Sequence, residues 1–182
     1  MATVRTRRTH PLTTGSAALV GAVLGGAIGG WAAPMFVVLG GLVVVVSETD
    51  LRERRIPNAI LLRVAPLLIA GLVLAAVAAR DPARALTAVG WAVLVSALFY
   101  GAAVAVPGGL GMGDVKLLAV TGVPLGWLGG GAVLTAAAIG FGLAGVAGLA
   151  ARRRGRWTDG VPFAPFHAAG VVAVVLAVGA TP

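Results

Sequence analysis

The sequence contains no cysteine, which excludes structural disulfides, thiol catalysis and a zinc site with cysteine ligands. Acidic residues are also scarce, since Asp and Glu number 6 against 14 Lys and Arg. Aromatic residues make up only 5% of the chain and do not alternate with the arginines, which argues against a nucleic-acid surface. The excess of basic over acidic residues is therefore not explained by binding to a nucleic acid.

Apolar residues are what the chain has in abundance. They make up 59% of its 182 residues, and the mean hydropathy is +1.00. A soluble domain of this size cannot bury so much apolar surface, whereas a lipid bilayer accepts it if every backbone polar group is paired within helices. The composition predicts an all-α, polytopic transmembrane helical bundle that forms one domain over residues 16–182, after a basic cytoplasmic tail at 1–15.

The apolar runs divide into about seven helical segments, and six to eight are compatible with the pattern. The segments are 16–33, a short second one at 35–47, then 59–79, 86–106, a short fifth one at 115–127, 132–151 and 167–180. Gly21, Gly25 and Gly29 are spaced four apart, which predicts close helix packing inside the molecule in preference to a dimer contact.

The basic residues lie in the connections between these segments. With seven crossings and an inner N-terminus, the tail, the 52–55 run, Lys116 and the 152–156 cluster all fall on one side, as the positive-inside rule requires of the cytoplasmic face. The pattern therefore predicts a multi-pass protein of the inner (plasma) membrane. Asp50 and Asp114 are separated by two full segments, so both are expected at that same face.

The most unusual stretch is the glycine-rich run at 108–116, which ends in Asp114, Val115 and Lys116. Charge at membrane depth costs at least about 2.5 kcal/mol, so an acidic residue beside apolar segments indicates a functional site. The glycines leave the backbone open to close approach by another chain. A phosphate loop is excluded because no Gly-Lys-Ser/Thr sequence follows them.

Two carboxyl groups brought together at the edge of the bilayer cannot comfortably both ionise, so Asp50 and Asp114 are predicted to share one proton. In such a dyad the charged partner takes a proton from water while the protonated one donates to a carbonyl oxygen. Lys116 is either a membrane anchor or a group that favours the charged form of Asp114. His167 is predicted to be a core or interface residue, and with no histidine near the aspartates we assign neither a metal nor another cofactor.

Three motifs in this sequence resemble those of the type IV prepilin peptidase family. Residues 48–58, Glu-Thr-Asp-Leu-Arg-Glu-Arg-Arg-Ile-Pro-Asn, resemble its first-aspartate motif, and Gly-Met-Gly-Asp at 111–114 matches the GxGD motif of its second aspartate. Residues 161–166, Val-Pro-Phe-Ala-Pro-Phe, are similar to its Pro-Phe-Gly-Pro-Phe, with Ala164 where glycine is usual. The motifs occur in family order, and the resemblance covers about residues 43–180.

The resemblance implies an aspartic endopeptidase that removes the basic leader of prepilin-like proteins at the cytoplasmic face. Its catalytic residues would be Asp50 and Asp114, with Gly111, Gly113 and Lys116 as supporting residues of the site. That leader is expected to be held by acidic side chains, those of Glu48, Glu53 and Asp159. The 161–166 segment is either a turn at the membrane interface or part of the substrate groove, and in the second case its contacts with substrate are made by Pro162, Phe163, Pro165 and Phe166. Family members that also methylate the new N-terminus often carry an extra cytoplasmic region with paired cysteines. This chain has no cysteine and no long loop, so peptidase activity alone is expected.

Three alternatives remain open from the sequence. A preflagellin-type or other GxGD protease would differ in substrate but not in chemistry. A small proton-coupled transporter would use the two carboxylates as a proton relay, but it should show an internal repeat and carboxylates near the midplane of the bilayer. A non-catalytic assembly factor would differ from a peptidase because it would show no cleavage in an activity assay.

Overall fold

The computed structural model describes residues 11–106, 110–154 and 161–181, with the side chain of residue 11 excepted. Most of the predicted basic tail, Gly108 and Gly109, Arg156 and Asp159 lie outside these ranges. Within them the chain forms seven α-helices and one short 3-10 turn, and no strand. The helices are α1 (Pro11–Ile28), α2 (Ala33–Glu53), α3 (Asn58–Ala79), α4 (Pro82–Ala105), α5 (Met112–Leu128), α6 (Gly130–Arg153) and α7 (Ala164–Gly179), and the turn is Gly30–Ala32.

Four of these helical stretches, Gly30–Glu53, Asn58–Ala79, Pro82–Ala105 and Gly130–Arg153, are long and apolar enough to cross a membrane. The exposed sides of α3 and α4 carry large apolar side chains such as Leu62, Val77 and Leu86, each more than 70% exposed. Lipid tails accept such surfaces and water does not. The protein is therefore an all-α polytopic membrane bundle, as predicted.

The helix ends follow from local chemistry. Positive φ angles at Gly29 and Gly30 separate α1 from α2, which excludes one long helix through both. At α4, Asp81 Oδ1 accepts a hydrogen bond from the Arg84 backbone N–H at 2.9 Å, and Pro82 lies in the first turn. Pro57 precedes α3 in extended conformation. Pro57 stands just before a helix, as predicted, whereas Pro82 was expected within the connection between residues 79 and 86 and instead lies in the first turn of α4.

Several helix boundaries differ from the prediction by three residues or more, including the starts of α4 at Pro82 (predicted 86) and of α5 at Met112 (predicted 115). Helix α1 begins at Pro11 and ends at Ile28, five residues earlier at each end than predicted. Helix α2 is not short: it has 21 residues and continues through the polar stretch to Glu53, so Asp50 lies on a helix and not in a loop. The Glu48–Arg52 ion pair, one turn apart at 2.6 Å, accompanies this extension. Helix α7 begins at Ala164, three residues before the predicted start.

Helices α2, α5 and α7 form the interior. The side chains of Met35, Phe36 and Leu39 in α2 are fully buried, and more than half of the residues of α5 are buried. Close packing of α5 on α4 depends on glycine, because a Cβ at Gly126 would lie 2.5 Å from the carbonyl oxygen of Ala88. The helix that carries Asp114 is therefore enclosed by other helices.

Helix α1 packs on α2 in the same way. A Cβ at Gly21 would lie 2.6 Å from the carbonyl oxygen of Val37, and one at Gly25 would lie 2.5 Å from a methyl group of the same residue. Gly21 and Gly25 thus form the predicted internal packing face. Gly29 does not belong to it, since its φ of 65° places it in the turn after α1.

Candidate active site

Asp50 lies in the last turn of α2, and its side chain is buried at 5% exposure. One carboxyl oxygen, Oδ2, accepts a hydrogen bond of 2.9 Å from the backbone N–H of Ala164, the first residue of α7. The backbone N–H of Phe163 donates to the same carboxyl group. The first N–H groups of a helix have no partner within it and carry partial positive charge, so the start of α7 is a fitting place for a carboxylate.

The turn after Asp50 is tightly defined. Arg54 adopts a left-handed conformation with φ 50°, and its backbone N–H donates to the carbonyl oxygen of Asp50 at 2.8 Å. A left-handed residue at the end of a helix reverses the chain abruptly. The chain thereby leads from Asp50 directly to Ile56 and the start of α3.

Asp114 is the third residue of α5 and is half-buried. Its Oδ2 accepts a hydrogen bond of 3.2 Å from the backbone N–H of Gly111, the residue that precedes the helix. Burial raises the pKa of Asp114 to about 6, the Gly111 N–H opposes this change, and the negative charge of Asp50 adds to it. Both aspartates therefore lie at the N-terminal end of a helix, Asp50 at α7 and Asp114 at α5.

The two aspartates face one cavity of about 300 Å³ at the end of the bundle where α2 ends and α3, α5 and α7 begin. Its walls combine all three sequence motifs. The lining residues are Asp50, Arg54, Arg55, Ile56, Gly111, Gly113, Asp114, Val161, Pro162 and Phe163. The described part of the chain contains no group of three or more His, Cys, Asp or Glu side chains that could hold a metal ion.

Direct contacts join the first and second motifs. A Cβ at Gly113 would lie 3.1 Å from Cβ of Ile56, so a residue without a side chain lets the two segments approach closely. Lys116 Nζ donates a hydrogen bond of 3.0 Å to Asn58 Oδ1. The lysine therefore connects the start of α5 to the start of α3, a role that neither sequence interpretation of Lys116 included.

Other predicted site residues do not line the cavity. Glu48 pairs with Arg52, and Glu53 pairs with Arg55 at 3.0 Å, so both carboxylates are engaged within their own segment. Pro165 and Phe166 belong to the first turn of α7 and do not line the cavity, unlike Pro162 and Phe163. Pro165 faces a separate apolar groove between α2 and α7.

Sequence reasoning missed several residues of the site. Arg54 and Arg55 line the cavity, although the sequence analysis used them only as a topology signal and as part of the 48–58 motif and gave them no place in the site. The Ala164 N–H that binds Asp50 is a backbone group, which no residue type reveals. A pair of buried polar side chains, Thr121 and His167, joins α5 to α7 at 2.8 Å. His167 is buried, as predicted for a core residue, but its contact with Thr121 was not predicted.

A comparison with protein families places this geometry in context. The model of the type IV leader peptidase family matches residues 36–150, which include both aspartates and end before the 161–166 motif. No curated protein and no solved structure matches the chain. The family match covers more than half of the sequence and agrees with the resemblance carried by the motifs. The chain therefore belongs to the type IV leader peptidase family.

Proposed function

We propose that this protein is an aspartic endopeptidase that removes the basic leader of prepilin-like substrates at the cytoplasmic face of the membrane. Asp50 and Asp114 are its catalytic pair. The observation that carries the proposal is that two carboxyl groups, from helices separated by two spans, line the same cavity. Membership of a leader peptidase family supports the reaction class.

The chemistry requires one proton on the pair. The ionised carboxylate takes a proton from a water molecule as the water oxygen bonds to the scissile carbonyl carbon, while the protonated carboxyl donates its proton to the carbonyl oxygen. Collapse of the tetrahedral intermediate breaks the C–N bond: the carboxyl that took the water proton gives it to the departing amine, and the other carboxyl takes back a proton from a hydroxyl of the intermediate. A pKa of about 6 for Asp114 keeps such a proton available far above the ordinary range of an aspartate.

The charge distribution supports the cytoplasmic assignment. The arginines at 52–55 lie beside the cavity, and those at 152–154 end α6, whose C-terminus lies towards the start of α7. Arg80 and Arg84 belong to the opposite connection, between α3 and α4. The positive-inside rule then orients the cavity towards the cytoplasm.

Recognition of a basic leader requires negative charge near the cavity. Neither glutamate lines the cavity, but Glu53 pairs at 3.0 Å with Arg55, which does, and Glu48 pairs with Arg52 on α2, so a basic leader would compete with these arginines for the two carboxylates. We expect reversal of either glutamate to lysine to raise KM more than it lowers kcat, because charge acts on leader binding and not on the water molecule. An unchanged KM would remove these residues from the substrate site.

The decisive experiment is co-expression with prepilin-like substrates from the same genome, with leader removal followed by intact mass. Asp50→Asn and Asp114→Asn should each abolish cleavage, because an amide can neither take nor give the proton. Asp81→Asn is the matched control at the opposite end of the bundle and should cleave as the parent does. Appreciable cleavage by either active-site variant in folded form would refute the pair.

The same masses test whether the enzyme is a peptidase alone. We expect the new N-terminus to carry no methyl group, because the chain lacks cysteine and the segments between its helices are short. A product heavier by one methyl group, formed by purified enzyme with a methyl donor, would contradict this part of the proposal.

A further inference from the structure

His167 and Thr121 are two polar side chains in the apolar interior that the proposed reaction does not use. Both are buried at 1% exposure, and His167 Nε2 lies 2.8 Å from Thr121 Oγ1. Thr121 is seven residues after Asp114 on α5, about two helical turns, so both face the same side of that helix. His167 is three residues after Ala164, whose N–H binds Asp50.

The hydrogen-bond pattern defines the direction of this contact. The Thr121 hydroxyl donates its single hydrogen to the carbonyl oxygen of Leu117 at 2.9 Å. We assign the neutral ring with its proton on Nε2, because the Thr121 hydroxyl can then give its hydrogen to Leu117 while Nε2–H donates to Oγ1. Within the described residues Nδ1 has no partner. The contact with Thr121 thus satisfies one of the two nitrogens of this buried ring, Nε2.

Aromatic contacts connect the ring to the wall of the cavity. The His167 ring stacks on Phe163 with centroids 5.5 Å apart, and Phe163 stacks in turn on Phe141 of α6 at 4.5 Å. Phe163 lines the cavity and immediately precedes the residue that binds Asp50. Gly140 closes the other side, since a Cβ there would lie 2.9 Å from Cα of His167.

We propose that Thr121 and His167 are positioning residues that set the distance between the two catalytic carboxyls, an inference that rests on the proposed function. Asp114 begins α5, and Asp50 is bound by the first turn of α7. The Thr121–His167 hydrogen bond joins these two helices one to two turns from the carboxyls. It fixes the start of α7 against α5, and displacement of about 1 Å in such a geometry costs on the order of a hundredfold in rate.

Three variants separate positioning from packing. Thr121→Val keeps the shape but removes the acceptor, and we expect kcat to fall about ten- to a hundredfold with KM within about threefold. Thr121→Ser restores the hydroxyl and should recover most of kcat. His167→Phe keeps the stacking on Phe163 but removes the donor, so it should match Thr121→Val, and the double variant should be no worse than either. Thr87→Val, on exposed α4, is the control.

A second measurement does not depend on activity. The cysteine-free chain allows spin labels at Met112→Cys on α5 and Ala169→Cys on α7, both exposed positions. Thr121→Val should broaden the distance distribution between the labels, whereas Thr121→Ser and Thr87→Val should not. If no substrate is cleaved by the parent enzyme but this broadening is seen, the proposed function fails and the helix positioning stands.

Several results would overturn the inference. An unchanged label distance in Thr121→Val, or a normal kcat in that variant, would show that the hydrogen bond does not position the helices. Losses that multiply in the double variant would show two independent packing effects. If Thr121→Ser lost as much kcat as Thr121→Val, the hydroxyl group would not matter and Thr121 would contribute through packing alone.

Discussion

The raised pKa of Asp114 makes the folded protein sensitive to pH in a direction that can be measured. Its pKa changes from an ordinary 3.8 to about 6 on folding. Such a group stabilises the folded state fully below its unfolded pKa, and this stabilisation is lost as the pH rises through about 6. At about 1.4 kcal/mol per pKa unit, this pKa change corresponds to about 3 kcal/mol in the free energy of unfolding. The side chain is only half-buried, so screening by water reduces the expected contribution to about 1–2 kcal/mol.

Asp114→Asn removes the ionisation and keeps an acceptor for the Gly111 N–H. The variant should therefore exceed the parent in stability by about 1–2 kcal/mol near pH 7.5, about 2 to 8 °C in Tm, and by almost nothing near pH 4. Thermal unfolding in one detergent at both pH values measures this. Asp81→Asn should leave both values unchanged, because Asp and Asn are equally good caps. An equal advantage at both pH values, or a variant less stable near neutrality, would refute the reasoning.

Three further outcomes test other parts of the structure. The kcat/KM value should fall as the pH rises through about 6, because the pair then loses its shared proton, and a flat profile across that range would contradict proton sharing. Lys116→Met should lower the rate of leader cleavage about three- to tenfold, because it removes the hydrogen bond from Lys116 to Asn58 that joins α5 to α3. An unchanged rate would show that the lysine serves only as a membrane anchor. Gly126→Ala should destabilise by about 1–3 kcal/mol in the same unfolding assay, unlike Gly131→Ala, whose Cβ meets open space.

The architecture was predictable because hydropathy and helix-breaking residues act locally. Pro57 stands just before α3, where the sequence placed the end of a connection, but α4 begins at Pro82, four residues before its predicted start. The end of α2 was not predictable from polarity, because charged residues at 48–53 were interpreted as a loop. An ion pair one turn apart lets a helix continue into a polar region, so that Asp50 projects from a helix.

The candidate site was predictable only in part. The number of spans between Asp50 and Asp114 decides that they share a face, so their common cavity was an expectation from topology. The bond from Ala164 to Asp50 joins residues 114 positions apart and depends on how α7 packs against α2. No local pattern contains such information, and the same holds for the contact between Thr121 and His167.

The means by which the carboxyls are held bears on the reaction. A carboxylate paired with a full cation stays ionised, and two such pairs would leave no proton to share. Here the partners of Asp50 and Asp114 include backbone N–H groups at the starts of α7 and α5, which carry only partial charge. Burial can then hold one proton on the pair, as the raised pKa of Asp114 indicates. Because the donor to Asp50 belongs to the start of α7 and the donor to Asp114 to the start of α5, the proposed pair depends on how α2 and α7 pack beside α5.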